Sequence, residues 1–126
     1  MSLNRKEIEK QLGPITTDLL KEKGYVSFVD IFMKLGKLSK EDYEKWRFKK
    51  VPCLEIMIKV NLSKISFIMK TVQRNSHKGG LRKSKTVYKS WGKGAKKILR
   101  FSKSGDPNIE EAYSTHFLTP KKNEIE

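Results

Sequence analysis

Fifty consecutive residues, Ile56 to Gly105, carry fourteen Lys and Arg and no Asp or Glu. Charges without local counter-charges are costly to take out of water, so this stretch must keep its cations at the surface and bury only what lies between them. The other 76 residues hold fourteen basic and fourteen acidic side chains, so the whole formal net charge of +14 belongs to this one segment. A localised cationic segment in an otherwise balanced chain is the footprint of a surface that grips a polyanion, most often nucleic acid. The plainer reading is a solvated face that keeps the protein soluble, although such faces usually mix both signs.

A length of 126 residues predicts a single domain that buries roughly two thirds of its unfolded surface without staples. The lone Cys53 rules out a disulfide framework, and its place between Pro52 and Leu54 predicts a buried, unreactive thiol. The opening Met-Ser-Leu-Asn-Arg-Lys-Glu has no apolar core of signal-peptide length, and no stretch approaches the ~18 apolar residues of a membrane span. These features predict a cytoplasmic protein without a membrane partner.

Punctuation along the chain predicts a mainly helical fold. Asn4 with Glu7 caps a first helix that Gly13-Pro14 stops, and Thr16 or Thr17 starts a second, closed by Gly24. Residues 1–24 thus form a helical arm, whose first helix has mixed charges that suggest a surface position. Ser27 with Asp30 caps a nearly all-apolar helix ending at Gly36, and Ser39 with Asp42 caps another that turns Tyr43, Trp46 and Phe48 inward. Pro52 opens a further helix filled by Leu54, Ile56, Met57 and Ile58. Asn61 caps a long one that Gly79-Gly80 ends after Lys78.

At 100° per residue, Leu62, Ile65, Ile68, Met69 and Val72 fall on one side of that long helix, and Ser63, Phe67, Lys70, Arg74 and Lys78 on the other. Beyond Gly80 the pattern predicts two strands, 86–91 and 97–102, joined through Gly92 and Gly94 as a hairpin at about 86–102. A turn at 105–108, a short helix from Ile109 and a final strand at His116–Leu118 complete the core of residues 25–119. The polar tail, 120–126, is expected to fray.

Two helices joined by a tight turn, the second with a basic outer face, followed by a basic hairpin, resemble the element order of winged-helix proteins. Within residues 54–68, Leu54 and Ile58 would pack the first helix of a helix-turn-helix, Val60 the turn, and Ile65 and Ile68 the second helix. Glu55 and Lys59 depart from the small residue and the glycine that the motif favours there. The resemblance implies a mainly α fold with one β-hairpin, winged-helix-like (α+β), in one domain. It implies that the helix at 61–78 offers Asn61, Ser63, Ser66, Phe67 and Lys70 to base edges, with Arg74 and Lys78 nearer the backbone. DNA is favoured over RNA on that ground, and a homodimer would supply the selectivity that one such motif lacks.

The remaining cations extend the expected contact. Lys93, Lys96 and Lys97 surround the hairpin glycines as a wing, while Arg82, Lys83 and Lys85 lie in the link between helix and hairpin. Aromatics among these cations, Phe67, Tyr88, Trp91 and Phe101, leave stacking on a single strand open, although at least two of the last three suit a packed strand face better. No cofactor is expected and enzymatic activity is not the leading reading. Two alternatives stand beside it: an interaction module for an acidic protein, and a metal-dependent nuclease using Asp106, Glu110, Glu111 and His116.

Overall fold

A computed structural model describes residues 4–120, so the N-terminal three residues and most of the tail expected to fray lie outside the described residues. Five helices and a small antiparallel sheet share one hydrophobic core running from Ile8 to Phe117. No described helix is long and apolar enough to cross a membrane.

Helix α1 spans Arg5–Lys23 without interruption. The expected stop at Gly13-Pro14 is not there, and the surface arm is instead a core element. Ile8, Leu12, Ile15 and Leu19 recur at helical spacing across the Gly-Pro pair, with Ile8, Leu12 and Leu19 buried. An internal proline costs a helix about 3 kcal/mol, whereas burying each large aliphatic side chain contributes about 1.5–3 kcal/mol, so three of them outweigh it. The hydroxyl of Thr16 donates to Leu12 O at 2.8 Å and that of Thr17 to Gly13 O at 3.1 Å, so these threonines sit inside α1 rather than starting a helix. Gly24, at φ 81°, ends α1 in the left-handed conformation that glycine adopts without strain.

The caps form as expected. Ser27 accepts from Asp30 N and starts α2 (Phe28–Lys34), and Ser39 accepts from Asp42 N and starts α3 (Lys40–Arg47). Trp46 is fully buried, but Phe48 points largely to solvent. The helix expected from Pro52 is only a four-residue 3-10 turn, Leu54–Met57, so the first helix of the expected helix-turn-helix is absent there. Asn61 accepts from Lys64 N and starts α4 (Leu62–Lys78), whose Ile65, Ile68, Met69 and Val72 are buried while Leu62 stays exposed.

The sheet has the order β1-β3-β2: β1 (Tyr25–Val26) and β2 (Arg82–Lys85) flank β3 (Thr115–Leu118), both antiparallel to it. Arg82, Lys83 and Lys85 are therefore an edge strand rather than a link. The expected hairpin reduces to one bridge, Lys89 with Ile98, plus hydrogen bonds from Ser90 N to Lys97 O and from Leu99 N to Tyr88 O, both 2.8 Å. Its return run bonds elsewhere. Arg100 O accepts from the Trp46 indole at 2.8 Å, Phe101 O accepts from Glu55 N at 2.8 Å, and the Glu110 carboxylate takes Phe101 N and Ser102 N. Helix α5 (Pro107–Ser114), which presents Glu110, is capped by Asp106.

Candidate functional site

Of the nine acidic residues before the cation-rich stretch, four make ion pairs among the described residues: Asp30 with Lys23 (2.8 Å), Glu22 with Lys34 (3.2 Å), Glu41 with Lys45 (3.6 Å) and Asp42 with Lys45 (3.8 Å). Of the fourteen cations in 56–105, only Lys59 (with Asp42) and Lys85 (with Glu111) make an ion pair among the described residues. Thirteen of the fourteen are exposed, Lys64 being half-buried. Twelve cations on one stretch of chain thus have no carboxylate partner among the described residues, and what internal bonds they make, as Lys96 to Gly92 O, Arg82 to Thr119 O and Arg100 to Lys103 O, leave their charge uncompensated.

The structure divides the expected contact residues. Lys70, Arg74 and Lys78 are exposed along α4, and Ser66 beside them is exposed too. Asn61 spends its side chain on the cap. Ser63 accepts a hydrogen bond from Arg5 at 3.0 Å, and the same guanidinium lies 4.9 Å from the centre of the half-buried Phe67 ring, so the start of α1 partly covers this end of the face. Arg82, Lys83 and Lys85 follow directly on β2, all exposed. Lys93, Lys96 and Lys97 stand exposed at the hairpin tip, where Lys96 donates to Gly92 O at 2.6 Å. That tip has a different support from α4. Trp91 N donates to Arg47 O at 2.7 Å and Arg47 to Lys89 O at 2.6 Å, tying the hairpin root to α3, while α4 packs on α1.

The four residues considered for a metal have separate structural tasks. Asp106 caps α5, Glu110 holds Phe101 N, Ser102 N and the Ser102 hydroxyl, Glu111 pairs with Lys85, and His116 stacks on Tyr25. No group of three or more His, Cys, Asp or Glu that could hold a metal ion occurs among the described residues. Cys53 is a buried free thiol.

Sequence reasoning missed an aromatic pocket of about 340 Å³ between α2, α3 and residues 86–91. Tyr25, Tyr43, Arg47, Tyr88, Trp91 and His116 line it, with Lys23 and Lys40 also present. The Arg47 guanidinium lies 4.7 Å from the Tyr88 ring centre, 4.9 Å from that of Trp91 and 5.6 Å from that of Tyr43, and it donates to the Tyr43 hydroxyl at 2.8 Å. His116 lies parallel to Tyr25, ring centres 4.7 Å apart, and its Nε2 is 2.8 Å from Tyr88 Oη. Burial raises the pKa of the Tyr88 hydroxyl and lowers that of His116, where it outweighs the attraction of Asp30. The tautomer of the imidazole sets which of the two donates in this hydrogen bond. Three of the four tyrosines meet here, whereas Phe28, Phe32, Phe101 and Phe117 fill the core. That division by hydroxyl is written in the sequence, but nothing in the spacing of residues 25, 43, 88 and 91 announces that they meet.

The chain matches no protein-family model, no curated protein and no solved structure.

Proposed function

We propose that the protein binds nucleic acid, duplex DNA first, through the outward cations of α4 (Lys70, Arg74 and Lys78), the basic strand β2 and the lysines of the 93–97 tip. The observation that carries this reading is the set of twelve cations in 56–105 without an ion pair among the described residues, on a stretch that holds no acidic residue of its own. Unpaired Lys and Arg bind phosphates by displacing condensed counterions, and no carboxylate competes for these twelve among the described residues. A winged-helix-like use of these parts has one further support: the long basic helix runs straight into β2, which pairs antiparallel with β3, giving a helix followed by two paired strands. In that reading residues 86–114 are an enlarged connection, and the 3-10 turn replaces a helix before α4.

Titration of a duplex at increasing salt tests the reading. For about five phosphate contacts, affinity falls by a factor of roughly 500 between 50 and 200 mM salt. The double variant Lys70→Glu, Arg74→Glu should fold normally, because both side chains are exposed, and should flatten the log–log salt slope by about two. Binding that is insensitive to salt removes the proposal. Absence of nucleic-acid binding at any salt, with capture of an acidic protein instead, replaces it with the interaction-module reading.

A further inference from the structure

We propose that the aromatic pocket between α2, α3 and residues 86–91 holds the base of an unpaired nucleotide. This goes beyond phosphate contact by α4, and it rests on that reading only in taking the ligand to be nucleic acid. The rings and the guanidinium of the lining come from four separate elements: Tyr25 on β1, Tyr43 and Arg47 on α3, Tyr88 and Trp91 on the hairpin root, and His116 on β3. Flat rings and a guanidinium plane gathered in one recess present the surfaces on which unstacked bases lie. The volume of about 340 Å³ admits a base with part of its sugar, and Trp91 remains 40% exposed beside Arg47, Tyr43 and Phe48, so an incoming ring stacks on the part of the indole that these leave free.

The charges select among ligands. A cation is disfavoured, because Arg47 already occupies the attractive region over the Tyr43, Tyr88 and Trp91 rings. Asp30 is engaged on both oxygens, by Lys23 Nζ at 2.8 Å and by the Ser27 hydroxyl at 2.6 Å. The charges left to meet a ligand are Arg47 and Lys40 against Glu44, a balance that favours a neutral ring carrying an anionic group. Arg47 uses Nε and one terminal N–H within the protein, leaving the rest of its fork for a phosphate or a base acceptor. The Tyr25 hydroxyl has no hydrogen-bond partner among the described residues, which gives the base edge a donor to meet.

The test is a single-stranded oligonucleotide carrying 2-aminopurine, titrated into the full chain alongside the matched duplex and the monophosphate of 2-aminopurine nucleoside. Stacking in the pocket quenches 2-aminopurine emission in the single strand and leaves it unchanged on adding the protein to the duplex. Trp91→Ala should weaken single-strand binding by about 5- to 150-fold, the range that one base–aromatic stack contributes, while Trp91→Phe restores most of it. Duplex binding should be unchanged in both variants but weakened by Lys70→Glu, Arg74→Glu. Quenching by the monophosphate alone identifies a free nucleotide as the ligand; quenching by the oligonucleotide alone identifies a strand, and either supports the pocket. No quenching in the wild-type protein overturns the proposal even where duplex binding persists, and so does an equal effect of Trp91→Ala on single strand and duplex. Single-strand quenching without duplex binding leaves the pocket standing and removes the α4 reading.

Discussion

At the scale of single residues, His116 links the sheet to the pocket. Its imidazole is faced by Tyr25 and Tyr88, with Lys23 and Asp30 nearby, and burial holds its pKa below the ordinary 6.5. The unfolded chain therefore takes up a proton at a higher pH than the folded one. The contribution to stability is level above 6.5, falls as the pH drops below it, and levels again below the folded pKa. A protonated imidazole can only donate at Nε2, so the Tyr88 hydroxyl must then accept. Melting temperatures at pH 7 and pH 5 should differ more in the wild-type protein than in His116→Gln. Equal differences in the two would show that His116 does not carry this dependence. No single position in the sequence points to this histidine; β3 had to be laid beside β1 first.

At the scale of elements, Glu55 shows how a departure from an expected motif becomes a structural device. Only 8% exposed, it accepts the Lys103 N–H at 3.0 Å and the Tyr113 hydroxyl at 2.6 Å. With Glu110 on the opposite side, it fastens the 100–103 segment between the 3-10 turn and α5. The two acids lie outside the acid-free stretch in sequence, yet both close over its C-terminal end. Burial, and then the hydrogen bond to Glu55, raise the Tyr113 pKa, so this phenol stays a donor throughout the ordinary pH range. Glu55→Ala leaves a buried hydroxyl and a backbone N–H without their acceptor, a loss of about 2–3 kcal/mol that a urea unfolding midpoint would read. An unchanged midpoint would mean that the carboxylate is not structural. The capped starts of α2, α3 and α4 were legible because a cap joins residues three apart. The continuity of α1 was legible only in part: its apolar spacing crosses Pro14, but the gain from burying Ile8, Leu12 and Leu19 depends on α2 and α4 being there.

Over the whole molecule, charge asymmetry acts on stability and on binding in opposite directions. A net charge of +14 concentrated in 56–105 repels itself in the folded state, and added salt screens that repulsion while it would weaken the proposed phosphate contacts. Raising NaCl from 20 to 200 mM should raise the melting temperature by about 2–5 °C, equivalent to less than about 1 kcal/mol, even as affinity for a duplex drops. A melting temperature that falls with salt would mean that the cations are held by attractive pairs instead. The sequence alone determined where the charge lies, where most helices begin and which residues of α4 face outward, because these follow from composition and from bonds between near neighbours. Only the tertiary structure decided that β3 is the central strand, that the return run of the hairpin bonds to Trp46, Glu55 and Glu110, and that Tyr25, Tyr43, Tyr88 and Trp91 share a pocket. Apart from the Glu110 bonds to Phe101 and Ser102, those contacts join elements tens of positions apart, and their free energy exists only once the core between Ile8 and Phe117 has brought them together.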